Sequence, residues 1–459
     1  MSPELLAQID RYIEAHIEDA IADLARLCAV PSVAAQGLGI EPCAELVAEL
    51  LRARGFTAEI VPSDGNPVVL AEQAGRSQRT LLCYNHYDVQ PAEPLELWTS
   101  PPFELTRRDG GATGPTLHAR GVADDKGELV SRLAAVDAVR AVLGELPCRV
   151  KFLVEGEEEI SSPSLPAFIE RHADRLAADG CIWEFGAVTL EGQPIEYLGL
   201  RGICYVELSV QTLDLDAHSG IGGSIFPNAA WRLVWALNTL KGPDGHIRVP
   251  GFYDAVVPPS ARDLELLAAL PDTAPEHRAT YGVRRFLNDL EGVELRREEV
   301  FAPTCTICGL TAGYQGPGSK TVLPARASAK VDFRLVPDQE PRDILAKLRA
   351  HLDAEGFEDV DVTFLGGEAP ARTDPDDPFV QLVCRAATEV YGRSPLVWPM
   401  IGGSGPNHPF IHHLRVPIAT LGVGYPGARA HAPDEHIRIA DLIRGTQHMA
   451  HVLVGFGEA

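Results

Sequence analysis

The sequence predicts an α/β main domain that is interrupted by a smaller two-layer α+β domain. Segments of helical period alternate with short apolar runs as far as about residue 200, which is typical of a mixed, mostly parallel sheet covered by helices. After about residue 203 the strands instead alternate between apolar and polar side chains. The first pattern returns after Gly366-Gly367. We therefore predict a discontinuous main domain of residues 1–203 and 368–459 and an inserted domain of residues 204–367.

The main domain begins with a helix and then alternates strands and helices. Leu5, Ile9 and Ile13 start a helical spacing that Pro31 ends. The apolar run Thr80-Leu-Leu-Cys-Tyr84 predicts a buried strand. Up to residue 154 we predict helices at 4–29, 41–54 and 129–143 and strands at 57–61, 80–84 and 150–154.

The inserted domain combines half-exposed strands with two helices. The run from Ile203 to Val210 alternates apolar and polar side chains, which predicts a strand with one solvated face. A long stretch rich in Pro and Gly separates the first helix from the next strand. We predict strands at 203–210, 301–309, 321–336 and 358–365 and helices at 227–241 and 341–355. In the returning main domain we predict a helix at 379–391 and a strand at 416–421.

The charge balance excludes several classes of function. Among 459 residues, 64 Asp and Glu face 40 Lys and Arg, which leaves a net charge of −24. Nucleic acid and anionic membranes bind basic surfaces, so we predict neither as a partner. The chain has no run of 18 apolar residues and no signal-like N-terminus, which predicts a cytoplasmic protein. The nine scattered cysteines are typical of reduced, mostly buried thiols.

Candidate metal ligands stand next to predicted strands and helices. His86 and Asp88 follow an apolar strand, and side chains two residues apart point to the same face. A carboxylate beside an imidazole suits a partner that orients a metal ligand, although a structural pair has the same pattern. Asp124 and Asp125 precede a helical segment, where helix capping explains one carboxylate better than both.

An acidic cluster follows the next apolar strand. Glutamates occupy four of the five positions from Glu155 to Glu159, which a solvated loop would also explain. Their place at a strand end favours a cation site, because a divalent metal offsets the repulsion between carboxylates. Glu184 and His431 stand at similar junctions. Imidazoles and carboxylates together suit zinc, and this many ligands can hold two metals that activate one water.

Several longer motifs resemble those of one enzyme family. They are His86-Tyr-Asp88-Val-Gln-Pro, Leu97-Trp-Thr-Ser-Pro-Pro-Phe103, Arg120-Gly-Val-Ala-Asp-Asp-Lys-Gly127, Glu155-Gly-Glu-Glu-Glu159 and Asp216-Ala-His-Ser-Gly220. They are similar to motifs of the co-catalytic zinc peptidase family of carnosinases, glutamate carboxypeptidases and aminoacylases. Within that family the chain most resembles the dipeptidase branch.

The resemblance implies a di-metal hydrolase with a defined ligand set. His86 and Glu184 would bind one zinc, Glu159 and His431 would bind the other, and Asp124 would bridge the two. We therefore expect two divalent metal ions per subunit. Zinc is the expected metal, and manganese or cobalt can use the same ligands.

The same resemblance implies roles for residues beside the metals. Asp88 would orient His86. Glu158 would be the general base that takes a proton from the attacking water and returns it to the leaving amine. The peptide bond between Asp124 and Asp125 is typically cis in this family.

For the inserted domain the resemblance implies a lid and dimerisation role. His218 resembles the histidine that reaches across a homodimer to stabilise the tetrahedral oxyanion. Thr321 and Arg334 match positions that hold the substrate's C-terminal carboxylate, which an arginine can bind with two parallel hydrogen bonds. Gly403 and Ser404 match a loop of the main domain that assists them.

Two departures from the family pattern leave the substrate open. Dipeptidases of the family usually have Asp where this chain has Glu184, whereas aminoacylase-like and some carboxypeptidase-like members have Glu. Where carnosinases have a histidine that contacts the substrate, this chain has Leu365. We expect a hydrolase of dipeptides or short peptides with a free C-terminal carboxylate. The alternatives are an N-acyl-amino-acid amidohydrolase or carboxypeptidase and, from another class, a non-catalytic metal-binding dimerisation scaffold.

Overall fold

Two separate units make up the chain in the computed structural model, which describes residues 2–458. The first unit contains residues 2–198, 372–399 and 406–458. The second contains residues 199–371 and 400–405. The first unit is therefore discontinuous in sequence, and it holds both the N-terminal and the C-terminal helix.

The helices are numbered in chain order. They are α1 (Pro3–Cys28), α2 (Ile40–Ala53), α3 (Lys126–Leu143), α4 (Leu165–Arg171), α5 (Ala173–Leu176), α6 (Ser219–Gly222), α7 (Ala229–Leu240), α8 (Ala261–Ala269), α9 (Ala274–Tyr281), α10 (Gly292–Phe301), α11 (Pro341–Ala354), α12 (Pro378–Tyr391) and α13 (Ile439–Glu458). Short 3₁₀ turns and one π-turn, Pro409–Leu414, complete the helical structure.

The strands are numbered in the same way. They are β1 (Thr57–Val61), β2 (Val68–Gln73), β3 (Thr80–His86), β4 (Thr106–Arg108), β5 (Thr116–His118), β6 (Arg149–Glu155), β7 (Gly180–Trp183), β8 (Ala187–Val188), β9 (Pro194–Tyr197), β10 (Gly199–Leu200), β11 (Gly202–Gln211), β12 (Ala217–His218), β13 (Thr304–Ala312), β14 (Val322–Leu323), β15 (Arg326–Leu335), β16 (Asp361–Glu368), β17 (Ala371–Arg372), β18 (Leu396–Trp398), β19 (Ile418–Thr420) and β20 (His436–Arg438).

A six-stranded mixed sheet forms the centre of the first unit. Its strand order is β1-β2-β6-β3-β7-β19. The four strands from β6 to β19 run parallel, and β1 and β2 add antiparallel pairs at one edge. Every residue of β3 is buried, as expected for a strand covered on both faces. The predicted main-domain fold, a mostly parallel sheet covered by helices, is confirmed.

The helices of the first unit bury the stripes that their sequences predict. In α1 the buried side chains include Leu6, Ile9, Ile13 and Leu24, which recur at helical spacing along one face. These side chains and those of α2, α3, α12 and α13 form one hydrophobic core with the sheet. Within residues 2–458, no helix is long and apolar enough to cross a lipid bilayer.

A four-stranded antiparallel sheet forms one layer of the second unit. Its order is β13-β15-β11-β16. Alternate residues of β11, including Cys204 and Val206, are buried against the second layer. That layer contains α7 and α11, which contribute Leu233 and Leu348 to the same core. The predicted two-layer α+β insert is confirmed.

The stretch between α7 and β13 differs from the prediction. It folds in part into three helices of eight to ten residues, α8, α9 and α10, and Pro271 and Gly282 lie between them. Because α10 continues to Phe301, the next strand begins at Thr304 rather than at 301. Pro324 separates β14 from β15, so the predicted strand at 321–336 is two strands. A proline cannot donate to a strand ladder, which explains the interruption.

Candidate metal centre

Three of the predicted ligands, His86, Glu159 and Glu184, lie at or just after the ends of parallel strands of the six-stranded sheet. The last residue of β3 is His86, the last residue of β6 is Glu155, and Glu184 follows β7 directly. His86 is paired with Glu155 in the register of the two parallel strands. Parallel strands present their carboxyl ends at one edge of a sheet, so residues far apart in sequence meet there. His86 and Glu184 are both buried.

Asp124 lies between two imidazoles. Its Oδ1 is 3.0 Å from Nε2 of His86, and its Oδ2 is 2.8 Å from Nε2 of His431. Nε2 of His431 also lies 3.2 Å from Oε2 of Glu159. One ligand atom from each of Asp124, Glu159 and His431 lies within 4.8 Å of the others. The peptide bond between Asp124 and Asp125 is cis, which confirms the expectation from the resemblance.

These contacts shift the pKa values of the groups involved. Burial alone would lower the pKa of His86, but its contacts with Asp124 and Asp88 raise this pKa well above the usual range. For His431, hydrogen bonds to Asp124 and Glu159 raise the pKa to about 10. Burial would raise the pKa of Asp124, yet the two histidines hold it well below its usual range. Without a cation these carboxylates favour protonated imidazoles, and a divalent cation would compete with those protons.

Asp88 connects His86 to the acidic turn after β6. Its Oδ1 lies 3.4 Å from Nδ1 of His86, and its backbone carbonyl oxygen lies 3.0 Å from the same nitrogen. The two carboxylate oxygens accept hydrogen bonds from the backbone N–H groups of Glu158 (3.2 Å) and Glu159 (3.1 Å). Asp88 is completely buried. One carboxylate therefore contacts the imidazole and fixes the turn that carries Glu158 and Glu159.

Two further glutamates belong to this centre. Oε2 of Glu158 is 4.0 Å from Nε2 of His86. Burial raises the pKa of Glu158 to about 8 in spite of the charge of His86. Burial also raises the pKa of Glu184, and its Oε2 is buried without a hydrogen-bond partner among residues 2–458. A buried carboxylate oxygen without a partner calls for an explanation, and a bound cation is one.

The residues present fit a divalent metal centre. Imidazole nitrogens and carboxylate oxygens are the donors that zinc and related cations take together. Asp124 turns a separate oxygen toward each histidine, which suits a carboxylate that bridges two ions. The unpartnered oxygen of Glu184 is a further donor of the same chemistry.

Two buried charged residues, Asp125 and Arg132, support the strand ends, and the sequence did not single out Arg132. Oδ2 of Asp125 accepts a hydrogen bond of 2.9 Å from the backbone N–H of His86. Arg132, fully buried in α3, donates at 2.8 Å to the carbonyl oxygens of Tyr84 and Glu184. The sequence offered one signal for Arg132: a charged residue stands on the face of the predicted helix that is otherwise apolar. Its partners could not be read from the sequence, because Tyr84 lies on β3 and Glu184 lies directly after β7.

Arg334 and the Gly403–Ser404 loop belong to the second unit. Nη1 of Arg334 donates to Oγ of Ser404 at 2.7 Å, and Nε lies 3.5 Å from Oδ2 of Asp332. The carbonyl oxygen of Gly403 accepts a hydrogen bond of 2.9 Å from the backbone N–H of Arg201. Residues 400–405 group with the second unit, whereas the resemblance puts this loop on the main domain.

His218 and Thr321 form another pair in the second unit. Oγ1 of Thr321 is 3.4 Å from Nε2 of His218, and Nδ1 of His218 accepts a hydrogen bond of 3.0 Å from the backbone N–H of Gly220. His218 is exposed. Leu365 is also exposed, at an irregularity in the pairing of β16 with β11. The predicted residues thus fall into two groups, one in each unit.

Comparison with known families shows what kind of protein this is. Residues 82–454 match the family described as peptidase family M20/M25/M40. The chain belongs to this family. The resemblance found in the sequence and the enzyme class, a metallopeptidase, are therefore confirmed.

Several known proteins are similar to this M20 protein over most of its length, in sequence or in solved structure. The Beta-Ala-His dipeptidase of Homo sapiens is 30% identical, and the alignment covers 98% of this chain and 92% of the relative. The Cys-Gly metallodipeptidase of Schizosaccharomyces pombe is 27% identical over 83% of this chain and 80% of its own. The M20 family metallo-carboxypeptidase Sso-CP2 of Sulfolobus solfataricus superimposes with a TM-score of 0.89 and 33% identity, over 96% of this chain and 99% of that chain. The di-peptidase Dug1p of Saccharomyces cerevisiae gives a TM-score of 0.82 and 25% identity, over 99% of each chain.

Proposed function

We propose that the protein is a di-metal hydrolase that cleaves the amide bond of dipeptides or short peptides with a free C-terminal carboxylate. The observation that carries this proposal is the position of Asp124 between His86 and His431, with Glu158 and Glu159 beside the two imidazoles. The names of two relatives, a Beta-Ala-His dipeptidase and a Cys-Gly metallodipeptidase, support a dipeptide substrate. These two dipeptides share an amide bond and a free C-terminal carboxylate rather than a side chain.

In this proposal five side chains hold two divalent cations. His86 and Glu184 hold one, Glu159 and His431 hold the other, and Asp124 bridges them. When bound, such a pair activates a water at neutral pH and polarises the scissile carbonyl. The mixed nitrogen and oxygen donors favour zinc, and manganese and cobalt accept the same ligands.

Glu158 acts in the proposal as the general base. Its carboxylate takes a proton from the attacking water and gives it to the nitrogen of the leaving amine. Oε2 lies 4.0 Å from Nε2 of His86, so the group is near the proposed ligands without being counted among them. The carboxylate of Asp88 accepts the backbone N–H of Glu158 and so holds Glu158 in this position. The same carboxylate contacts Nδ1 of His86 and orients the imidazole.

The second unit binds the substrate in the proposal. Arg334, oriented by Ser404, binds the C-terminal carboxylate, because a guanidinium can give a carboxylate two parallel hydrogen bonds. Gly403 belongs to the same loop, and Thr321 assists at the same carboxylate. His218 stabilises the tetrahedral oxyanion in the partner subunit of a homodimer.

This assignment gives the two predicted domains different tasks. Residues 1–203 and 368–459 form the catalytic, metal-binding domain, except that the loop of Gly403 and Ser404 acts with the second unit, to which residues 400–405 belong. Residues 204–367 form the lid and dimerisation domain. The peptide substrate and a second copy of the chain are the proposed partners.

A second candidate activity is that of a carboxypeptidase or an N-acyl-amino-acid amidohydrolase. Glu184 favours it, since family dipeptidases usually have Asp at this position. A metallo-carboxypeptidase, Sso-CP2, at 33% identity and a TM-score of 0.89, also supports it. Both activities need the same metal ligands and the same base. They differ in the group on the N-terminal side of the scissile amide, which is one amino acid, a longer peptide or an acyl group.

The test of the mechanism is the substitution Glu158→Ala. We expect turnover of a dipeptide to fall at least about 100-fold, because a positioned general base contributes roughly that much or more. Metal analysis should still find about two metals per chain, since Glu158 is not a proposed ligand. Glu157→Gln is the matched control, because the Glu157 carboxylate accepts the N–H groups of Asn66 and Ser164 instead. A fully active Glu158→Ala enzyme would contradict the assignment.

A substrate panel separates the two candidate activities. Protein stripped with a chelator and reloaded with zinc, manganese or cobalt is assayed on dipeptides, longer peptides, N-acetyl amino acids and C-terminal amides of the same dipeptides. Preference for dipeptides supports the first proposal, and preference for N-acetyl amino acids or longer peptides supports the second. Equal rates on free dipeptides and their amides would remove the role of Arg334.

A further inference from the structure

The loop that carries His431 is held in an unfavourable backbone conformation. Arg429, His431 and Asp434 all have φ near +60° (60°, 61° and 61°), in the left-handed region that residues other than glycine rarely adopt. The loop is closed at its neck by a hydrogen bond of 2.8 Å from the N–H of His436 to the carbonyl oxygen of Ala428. Three such residues in one short loop persist only where surrounding contacts hold them.

Glu435 supplies the most buried of these contacts. It is completely buried, and its Oε1 accepts the backbone N–H groups of Ala123 (2.8 Å) and Asp124 (3.1 Å). Its Oε2 accepts the N–H of Gly121 at 3.1 Å and pairs with Nη1 of Arg120 at 2.6 Å. One carboxylate therefore satisfies three backbone donors and one buried guanidinium.

The partners of Glu435 lie on the segment that carries Asp124. Residues 120–124 precede α3, and Glu435 lies about 310 positions further along the chain, four residues after His431. The contact thus ties the two loops that place Asp124 and His431 within 2.8 Å of each other. Asp434 points elsewhere, since its carboxylate accepts from Thr99 and Arg108.

We propose that Glu435 is a positioning residue that sets the metal affinity of the centre by fixing the Asp124 loop against the His431 loop. Its carboxylate bonds to the backbone N–H groups of Gly121, Ala123 and Asp124 and to Arg120, so it acts through the backbone of Asp124 and through its own loop. This inference rests on the proposed ligation by Asp124 and His431. Substituting a residue that orients metal ligands without binding the metal typically lowers metal affinity by about 10- to 100-fold.

The substitution Glu435→Gln tests the proposal. An amide has one acceptor oxygen, and its NH₂ group would face the donors of Arg120 and Gly121, so half of the contacts are lost. We expect the affinity for zinc, measured by competition with a chelator on the full-length protein, to fall about 10- to 100-fold. The visible spectrum of the cobalt-loaded protein should change, and the amide hydrogens of residues 120–124 should exchange faster.

Glu196→Gln is the matched control. Glu196 is also buried, and its Oε1 accepts the backbone N–H of Thr420 at 2.7 Å, but neither residue is on a proposed ligand loop. If Glu435 contributes only to general stability, then Glu435→Gln, Glu196→Gln and the wild type should have the same metal affinity and the same cobalt spectrum. That result would overturn the proposal.

Glu435→Asp decides the matter if Glu435→Gln does not fold. It keeps the charge that faces Arg120 and withdraws the oxygens by one methylene from Ala123 and Asp124. A folded Glu435→Asp protein with wild-type zinc affinity overturns the inference. Asp124→Asn is measured beside it: if this variant binds as much metal as the wild type, the proposed ligand set and the inference both fail. Loss of metal in Asp124→Asn with no loss in either Glu435 variant overturns the inference alone.

Discussion

Asp88 shows how one buried carboxylate can serve several groups of the centre. It contacts the imidazole of His86 and accepts the backbone N–H groups of Glu158 and Glu159. Each of these groups is buried or partly buried, so the loss of an acceptor is not compensated by water. The orientation of His86 and the position of the acidic turn therefore both depend on Asp88.

We expect Asp88→Asn to lower kcat by about 10- to 100-fold with a smaller effect on KM. The amide can accept one of the two N–H groups but not both, because its second atom is a donor. Steady-state kinetics on a dipeptide, with the metal content measured on the same sample, checks this. Asp64→Asn is the control, since Asp64 is exposed and pairs with Arg171 on the surface. Wild-type kinetics for Asp88→Asn would mean that the two N–H contacts do not position Glu158.

At the scale of elements, α12 and α13 pack through a buried histidine. Nε2 of His448 lies 3.0 Å from the carbonyl oxygen of Val383, so the neutral ring donates there. Burial, with the charge of His451 adding to it, lowers the pKa of His448 to about 4. An unfolded chain would bind a proton at His448 with a pKa of about 6.5. The unfolded state therefore binds more protons than the folded state between these two values.

The stability that neutral His448 gives to the packing of α12 and α13 should therefore be fully present above pH 6.5. It should be lost progressively as the pH falls from 6.5 toward 4. From these pKa values we expect His448 to contribute a loss of about 2 kcal/mol in the free energy of unfolding between pH 7 and pH 5. Urea unfolding at both pH values checks this in the wild type and in His448→Gln, which keeps a donor but does not titrate. Substituting the exposed His16 by Gln is the control. Equal pH dependence in the wild type and in His448→Gln would contradict the pKa shift.

At the scale of the whole molecule, the proposed machinery is divided between two units. The proposed metal ligands, Asp88 and Glu158 belong to the first unit, and His218, Thr321, Arg334, Gly403 and Ser404 belong to the second. The proposed role of His218 also requires a second copy of the chain. A homodimer of twice 49.5 kDa is therefore part of the proposed mechanism.

We expect His218→Ala to lower kcat by about 100- to 1,000-fold, as the loss of an oxyanion donor does. Mixing inactive His218→Ala and Glu158→Ala chains should restore activity, because each hybrid dimer has one site with both residues intact. If subunits exchange freely, the activity returns to roughly one quarter of the wild-type value. No recovery in a mixture shown to exchange subunits would contradict action across the dimer, and a strictly monomeric wild type would do the same.

The two-domain fold class and the positions of most candidate ligands could be predicted without the structure. Periodicity and polarity act locally, so a buried strand followed by His86, or by the glutamates after Val154, is visible in a few consecutive residues. A parallel sheet then brings such strand ends together at one edge. The helices between α7 and β13 were missed, because each has at most ten residues and a proline or glycine interrupts the chain between them, so no long helical spacing is visible.

By itself the sequence determined the chemistry of this protein, a set of histidines and carboxylates at strand ends with the motifs of an M20 peptidase. The sequence also indicated Asp88 beside His86, but only the tertiary structure showed that Glu435 and Arg132 contact the segments that carry this set. Glu435 reaches the backbone of Asp124 from about 310 residues away, and Arg132 reaches two strand ends from inside a helix. Such contacts depend on how loops and elements pack in three dimensions. A buried charge satisfied by distant backbone groups leaves no periodic trace in the sequence.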